Sequence, residues 1–549
     1  MNRCSTGTKP LLFAIATLML AGNVLADETN APSVIVNTGA EPLAAGKFQP
    51  TWESLKQYQT PVWFRDAKFG IWAHWGPQCQ PEDGDWYARG MYLTGSGQYI
   101  FHTNHYGSPL EFGFKDVIHE WHAENWDPEK LMALYQRAGA QYFFALANHH
   151  DNFDNWDSKY QPWNSVAVGP KKDLIGGWAK AARKHGLRFG VSVHASHAWS
   201  WYEPAQNYDG KLTKADGAGK WWDGLDPQDL YAQNHTPSPG YEKGNSIHSR
   251  WNWGNGVSLP DQAYCDKFYN RTVDVINKYH PDLIYFDDTA LPLWPISDAG
   301  LKIAAHFYNR NNQWHGPDDD GVLFGKILTP QQQQCMVWDI ERGQANEIEP
   351  YAWQTDTCIG DWHYQRDRFL HHNYKSAKTV IQTLADIVSK NGNLLLNIPV
   401  RGDGTIDEDE VKVVTAIGDW MAVNKESIFG TRPWKVFGEG PASGGARLSA
   451  QGFNEGKGKP FSAEDMRFTQ TKDGRTLYVT VLGVSTNDVS IKSLGKAAKL
   501  LDGSIKKIEL LGGHEKVKWR QLADALVISR PAAAPNNFAI VYKISVRGK

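Results

Sequence analysis

Four stretches of this chain share one texture: a short apolar run, rich in aromatic and β-branched residues, that stops at a polar cluster. They are Phe69–Gly76, ending Ala73-His74-Trp75-Gly76; Tyr142–Asp151, ending Asn148-His149-His150-Asp151; Arg188–His197, ending His194-Ala195-Ser196-His197; and Pro281–Asp288, ending Phe286-Asp287-Asp288. Continuous apolar runs of this length predict strands buried on both faces, as in parallel sheets. Cys335–Ile340 and Asn393–Ile398 repeat the pattern. Amphipathic stretches of helical period lie between them: Asp127–Ala138, Leu174–His185, Asp261–Tyr279 and Ala377–Lys390. Asp127 before Pro128 reads as a helix cap, and Lys184-His185-Gly186 as a helix end. Strand-then-helix alternation from Trp52 to about residue 428 predicts a parallel sheet, and the number of units favours closure into a (β/α)8-like TIM barrel over an open sheet.

Past Phe429 the pattern shifts to short alternating runs, Arg475–Leu482, Ala525–Ser529 and Phe538–Tyr542, separated by Asp-Gly and Asn-rich turns. That predicts a C-terminal antiparallel β-sandwich domain over 429–549. At the other end, Arg3 and Lys9, the apolar Leu11–Ala21 and the small-residue break Val24-Leu25-Ala26 have the form of a secretory signal peptide cleaved after Ala26. Residues 27–51, rich in Ala, Pro, Gly and Asn, predict a lead-in with little packing of its own. The expected address is secreted or periplasmic, with no membrane span elsewhere.

Charge narrows the partners. With 57 basic and 60 acidic residues, net −3, and no basic run, there is no electrostatic footprint for nucleic acid. Cys79, Cys265, Cys335 and Cys358 remain after cleavage; no Cys-x-x-Cys spacing suggests zinc, and a core this large needs no disulfide. Trp occurs 24 times, and many aromatic rings flank the polar clusters, a surface suited to the mixed apolar and hydroxylated faces of a sugar.

In a barrel, reactive groups sit where the strands end, so Asp287 is a candidate nucleophile, although Asp also caps helices and turns. Two carboxylates flanking a pocket can hydrolyse a glycosidic bond. His149 and His150 could ligate a metal, but adjacent strand residues point to opposite faces and a metal needs three or four convergent ligands. Hydrogen bonding to sugar hydroxyls is the preferred role for them, and for His74 and His194; no metal and no cofactor are expected. The insert Trp199–Pro260, just after a candidate catalytic strand, predicts a loop that shapes the binding site, with a disordered surface insert as the alternative. No Gly-x-Ser-x-Gly elbow supports a serine hydrolase.

Trp63–Gly76, Asp85-Trp86-Tyr87, His149-His150-Asp151-Asn152-Phe153, Phe286-Asp287 and Gly392–Ile398 resemble, in order and spacing, the successive blocks of the family 29 glycoside hydrolases, the α-L-fucosidases. The likeness runs from about Trp52 to Trp434. It implies a (β/α)8-like barrel followed by a β-sandwich, and retention of anomeric configuration through a covalent glycosyl-enzyme. It also implies Asp287 as nucleophile, His74, Trp86, His149 and His150 around the fucose, and Arg342 as a sugar contact. His194 falls near the family's third-strand tyrosine or histidine. One departure stands out: where relatives carry Trp-Glu, with that glutamate as acid/base, this chain has Trp353-Gln354, and an amide cannot donate the proton. Glu341, Glu347, Glu349 and Asp356 are the nearby carboxylates. Glu347, in the loop between Arg342 and Trp353, is expected to supply the acid, followed by Glu341, which abuts Arg342 and could simply pair with it. The expected substrate is terminal L-fucose on extracellular oligosaccharides or polysaccharides. An α-L-galactosidase is the close alternative, since an apolar pocket rejects one added hydroxyl only weakly; a non-catalytic glycan-binding relative is the second, invited by Gln354.

Overall fold

Eight parallel strands, β1 (Phe69–Ala73), β2 (Tyr142–Asn148), β3 (Arg188–Val193), β4 (Leu283–Phe286), β5 (Val322–Gly325), β6 (Val337–Asp339), β7 (Trp353–Cys358) and β8 (Gly392–Asn397), form a closed barrel, β8 pairing back onto β1. The structure is a computed structural model and describes residues 32–548, apart from 233–234, 245–246, 446 and 450–451. The expected signal segment and its cleavage site after Ala26 lie outside the described residues.

The barrel interior explains the aromatic runs. Trp72 and Tyr285 meet at 5.0 Å between ring centroids, Phe144 and Phe324 at 5.8 Å, and Phe64 and Phe324 at 5.6 Å. Rings this large fit only where a facing position has no side chain: a Cβ on Gly70 would lie 2.1 Å from the Tyr142 ring, and one on Gly190 would lie 2.7 Å from Phe144. These positions are glycine for space, not for backbone freedom. Outside, helices at Pro128–Arg137, Leu174–Lys184, Gln262–Tyr279 and Ala377–Ser389 occupy the predicted stretches, and the Asp127, Asp173, Asp261 and Ser376 side chains cap their first turns.

The segment before Thr51 packs more than its composition suggested. Val36 and Phe48 are buried, Val34 bridges to Ser297, the Phe48 amide donates to Asn309 Oδ1 at 3.0 Å, and Glu41 accepts from Tyr160 at 2.6 Å and from Lys159 at 3.1 Å. A few apolar anchors suffice because side chains of the outer helices satisfy the segment's backbone. The described residues of the insert after β3 are likewise folded, as short helical turns that bury Trp201, Trp222 and Trp253.

Beyond the barrel, β9 (Arg432–Glu439), β10 (Met466–Gln470), β11 (Thr476–Val481), β12 (Val489–Ile491), β13 (Ser504–Leu510), β14 (Trp519–Gln521), β15 (Leu526–Ile528) and β16 (Ile540–Arg547) make two antiparallel sheets, ordered β13-β16-β11-β10-β9 and β12-β15-β14. Trp434, Phe468, Val479, Ile491, Leu526, Ile528 and Ile544 fill the core between them. No disulfide joins Cys79, Cys265, Cys335 and Cys358, all buried, and among the described residues no helix is long and apolar enough to cross a membrane.

Candidate active site

Asp287 directly follows β4. Strand alternation puts its side chain on the same side as Tyr285, facing up the barrel axis, and it keeps 18% of its side-chain surface open. His194 Nδ1 lies 3.2 Å from its Oδ2, His150 Nε2 lies 3.0 Å from the same oxygen, and the Lys326 ammonium donates to Oδ1 at 2.5 Å. The imidazoles are themselves held. His150 Nδ1 donates to the His194 carbonyl at 2.7 Å, and Asn148 Oδ1 accepts from the amides of His194 and Ala195 at 3.2 Å each. Asn148 donates to Asp154 at 3.0 Å, and Asp154 is gripped by Arg271 through two nitrogens.

Lys326 follows β5 and Glu341 follows β6, and the Lys326 ammonium also donates to Glu341 Oε2 at 2.5 Å. One cation thus joins two carboxylates, and their facing oxygens lie no more than about 5 Å apart. Retaining glycosidases hold their two carboxyl groups about 5–5.5 Å apart, inverting ones about 6.5–9.5 Å. The two groups differ in proton affinity. Burial alone would raise Asp287, but the Lys326 charge and its contacts with His150 and His194 hold it well below the carboxylate range. Glu341 is pushed up to about 7 by burial, with the Asp356 and Asp287 charges adding to the effect and Lys326 opposing it. Two carboxyls whose surroundings drive their proton affinities apart in this way can divide the work, one held ionised and the other holding a proton.

Glu347 is not brought to this cluster. Its side chain is 65% exposed and pairs with Arg447 at 2.6 Å, because Asn346 exchanges hydrogen bonds of 2.8 and 3.0 Å with the Leu448 backbone and turns the loop outward. Gln354 lies inside the barrel, where its amide donates to Asp339 at 2.8 Å and accepts from Tyr142 at 3.0 Å. Asp356, the next inward position on β7, accepts from Tyr285 at 2.8 Å.

The walls are imidazole and indole. The His74 ring meets His363 at 4.7 Å, His194 at 4.9 Å and His149 at 5.1 Å, with Trp72 at 4.7 Å. Burial holds His74 and His149 well below the usual histidine value and brings His194 to about 4, so all three are neutral near pH 7, each ring offering one donor and one acceptor. Both ring nitrogens of His74 and of His363 are buried without a protein hydrogen bond, and His363 Nδ1 lies 3.6 Å from the Asp85 carboxylate. Trp86 stacks on His248 at 4.9 Å and lies 6.1 Å from His150; Trp251 lies 5.0 Å from His150 and stacks on His197 at 3.9 Å. Arg342, at φ +44°, stands on the rim with its Nε 3.4 Å from Glu455.

Among the described residues two groups have the spacing to hold a metal ion: His149, His150, His194 and Asp287, and His74, His149 and His363. In the first, His150 and His194 already face Asp287; in the second, His149 Nδ1 lies 2.8 Å from the Gln78 amide.

His74, Trp86, His149, His150, His194, Asp287 and Glu341, all singled out from the sequence, come together in one cluster at the C-terminal rim. Lys326, His248, Trp251, His363 and Glu455 were not foreseen. Val322-Leu323-Phe324-Gly325-Lys326 is itself an apolar run with a charged end, the same signal that picked out Asp287. The insert's Trp content pointed toward Trp251, and nothing local marks Glu455.

The sequence signature of the family described as Alpha-L-fucosidase matches residues 35–426. Human tissue α-L-fucosidase is 27% identical over 517 residues, covering 91% of this chain and 92% of the human protein; the rat tissue enzyme is 27% identical over 411 residues, covering 72% and 76%. Among solved structures, a Thermotoga maritima α-fucosidase in complex with a mechanism-based inhibitor superposes with a TM-score of 0.67 at 25% identity, covering 91% of this chain and all of that one. A barrel whose rim gathers two unlike carboxyls within a neutral imidazole and indole pocket, and a match over most of its length, lead to one statement: this chain is a glycoside hydrolase that belongs to the α-L-fucosidase family.

Proposed function

We propose that the protein is a retaining exo-α-L-fucosidase acting on terminal α-L-fucosyl residues of extracellular glycans, with Asp287 as nucleophile and Glu341 as acid/base. The observation that carries this reading is the Lys326-bridged pair, two carboxyls whose facing oxygens lie no more than about 5 Å apart and whose proton affinities are opposite. In the first half-reaction an Asp287 oxygen bonds to carbon 1 as the glycosidic bond breaks, and the Glu341 proton passes to the departing oxygen. In the second, Glu341, now a carboxylate, takes a proton from water as the water oxygen bonds to carbon 1 and the Asp287 ester opens. The clustered imidazoles of His74, His149, His194 and His363 would hydrogen-bond the hydroxyls of a single sugar ring, which favours release of terminal residues. Trp86 and Trp251 supply apolar faces beside it.

The test is labelling with 2-fluoro-L-fucosyl fluoride followed by peptide mapping, together with NMR of the first-formed sugar. A fluorofucosyl ester on Asp287 and initial release of the α-anomer are expected. A label on another residue, or initial β-anomer, would overturn the assignment.

A further inference from the structure

Among the described residues Lys326 is the one cation in contact with both carboxyls, and neither half-reaction consumes it. Its side chain is 12% exposed and its ammonium lies 2.5 Å from each of Asp287 Oδ1 and Glu341 Oε2. Tyr285 presents its ring 5.5 Å below. The titratable and charged groups around it come from every neighbouring strand end: Asp287 after β4, Glu341 after β6, Asp356 on β7 and Asp339 on β6 deeper in the barrel, with His194 and His150 beyond Asp287. The Lys326 amide donates to the Thr289 carbonyl at 2.9 Å, which fixes the base of the side chain.

Resting on the reading in which Asp287 attacks and Glu341 donates the proton, we propose that Lys326 is the positioning residue that couples the two half-reactions, its ammonium pairing with the Asp287 carboxylate in the free enzyme and with the Glu341 carboxylate in the fucosyl-enzyme. The charge count supports it. Before reaction the trio is a carboxylate at Asp287, an ammonium at Lys326 and a carboxylic acid at Glu341. After the first half-reaction it is a neutral ester at Asp287, the same ammonium, and a carboxylate at Glu341, since its proton has left with the alcohol. Net charge is zero in both, and Lys326 has one anionic partner in each without moving. A buried ammonium with no anion, or two carboxylates with no cation, would each be costly, so a single bridging lysine keeps both states electrically matched. The direction of control also fits: forming the ester removes the Asp287 charge that raises Glu341 and leaves the Lys326 charge that lowers it, so Glu341 turns from acid into base when the mechanism needs a base.

The experiment compares pH profiles of kcat/KM on a nitrophenyl α-L-fucoside for the wild type, Lys326→Met and Lys326→Arg. Removing the ammonium raises both carboxyls, so in Lys326→Met both limbs of the bell move to higher pH by about one unit or more. Lys326→Arg, which keeps the charge, restores limbs close to wild type. A Lys326→Met enzyme with slower turnover but unmoved limbs would overturn the proposal, leaving lysine as a packing residue. A wild-type arm holds whether or not the variant folds: reactivation of the 2-fluorofucosyl enzyme should rise through a limb at least about one unit below the alkaline limb of kcat/KM. Coincident limbs would overturn it. If the label is not on Asp287, the underlying assignment fails; if it is and the limbs stay put, only the role of Lys326 fails.

Discussion

Glu341 and Glu347 stand in one short loop, yet their surroundings give them opposite chemistry. Glu341 is held by Lys326 under the barrel rim, whereas Glu347 lies in solvent against Arg447. An exposed surface pair contributes little, about 0–1 kcal/mol, and this one holds the Glu347 side chain out in solvent, away from Asp287. Glu341→Ala should therefore cut turnover of a poor leaving group by about 10²–10⁴-fold, with azide restoring turnover of an activated aryl fucoside and giving α-L-fucosyl azide. Glu347→Ala should leave both measurements unchanged. Full activity in Glu341→Ala, or azide rescue in Glu347→Ala, would transfer the role. The same contrast sets the pH profile: Glu341 must carry its proton, so kcat/KM falls as pH rises through about 7. On the acid side Asp287 must be ionised, and its depressed value keeps it so into the acid range.

At the scale of elements, what the sequence made legible and what it hid follow one rule. A strand carries its own signal, because an apolar run that ends in a polar group is local. Thus His74, His149, His194 and Asp287 could be placed on the rim from spacing alone, since each closes such a run. Lys326 closes one too, but β5 is only Val322–Gly325 and is preceded by Asp-rich sequence that masks it. The choice between Glu341 and Glu347 turned on which way the loop is tied, and that depends on Leu448 far along the chain. Glu455 is the plainest case. It lies in the connection between β9 and β10, its amide donates to the Arg342 carbonyl at 2.8 Å, and Phe453 donates to the Glu341 carbonyl at 2.7 Å. Its carboxylate accepts from Lys375 at 2.5 Å and from Thr357 at 3.0 Å, with Arg342 alongside. The second domain thus supplies a clasp on the segment bearing the proposed acid, Glu341, and the proposed sugar-contacting arginine. Glu455→Ala should free Arg342 and lower kcat/KM by about tenfold or more, the worth of one hydrogen bond between charged groups, with most of the change in KM. An unaltered KM in a folded Glu455→Ala enzyme would show that the clasp does not hold Arg342 in its working position.

For the whole molecule, the question is how firmly the two cores are joined, since a clasp is only as rigid as the body behind it. Hydrogen bonds cross from the barrel's outer helices to the sheets: Trp420 Nε1 donates to the Ala539 carbonyl at 2.8 Å, and Gln382 donates to the Leu482 carbonyl at 2.6 Å. Between them, Asp386 on the Ala377–Ser389 helix is wholly buried and pairs with Arg467 of β10 at 2.6 Å and with Lys390 one turn on at 2.8 Å. Burial alone would raise Asp386, but the Lys390 and Arg467 charges bring it below the carboxylate range. The arrangement is asymmetric, one anion between two cations. Asp386→Ala strands both cations, and breaking a buried pair from the side that leaves charge unmatched costs about 3–5 kcal/mol. Arg467→Met removes one cation, fills part of its volume with an apolar chain and leaves Asp386 still neutralised by Lys390, so it should cost clearly less. Denaturant unfolding followed by tryptophan fluorescence separates the two variants, and because the joint is buried the wild-type barrel and sheets should unfold in one transition. Equal losses from the two substitutions, or a sheet transition that precedes the barrel's in the wild type, would mean that this ion triad does not bind the domains into one body, and the active-site clasp would have to draw its rigidity from the Trp420 and Gln382 contacts instead.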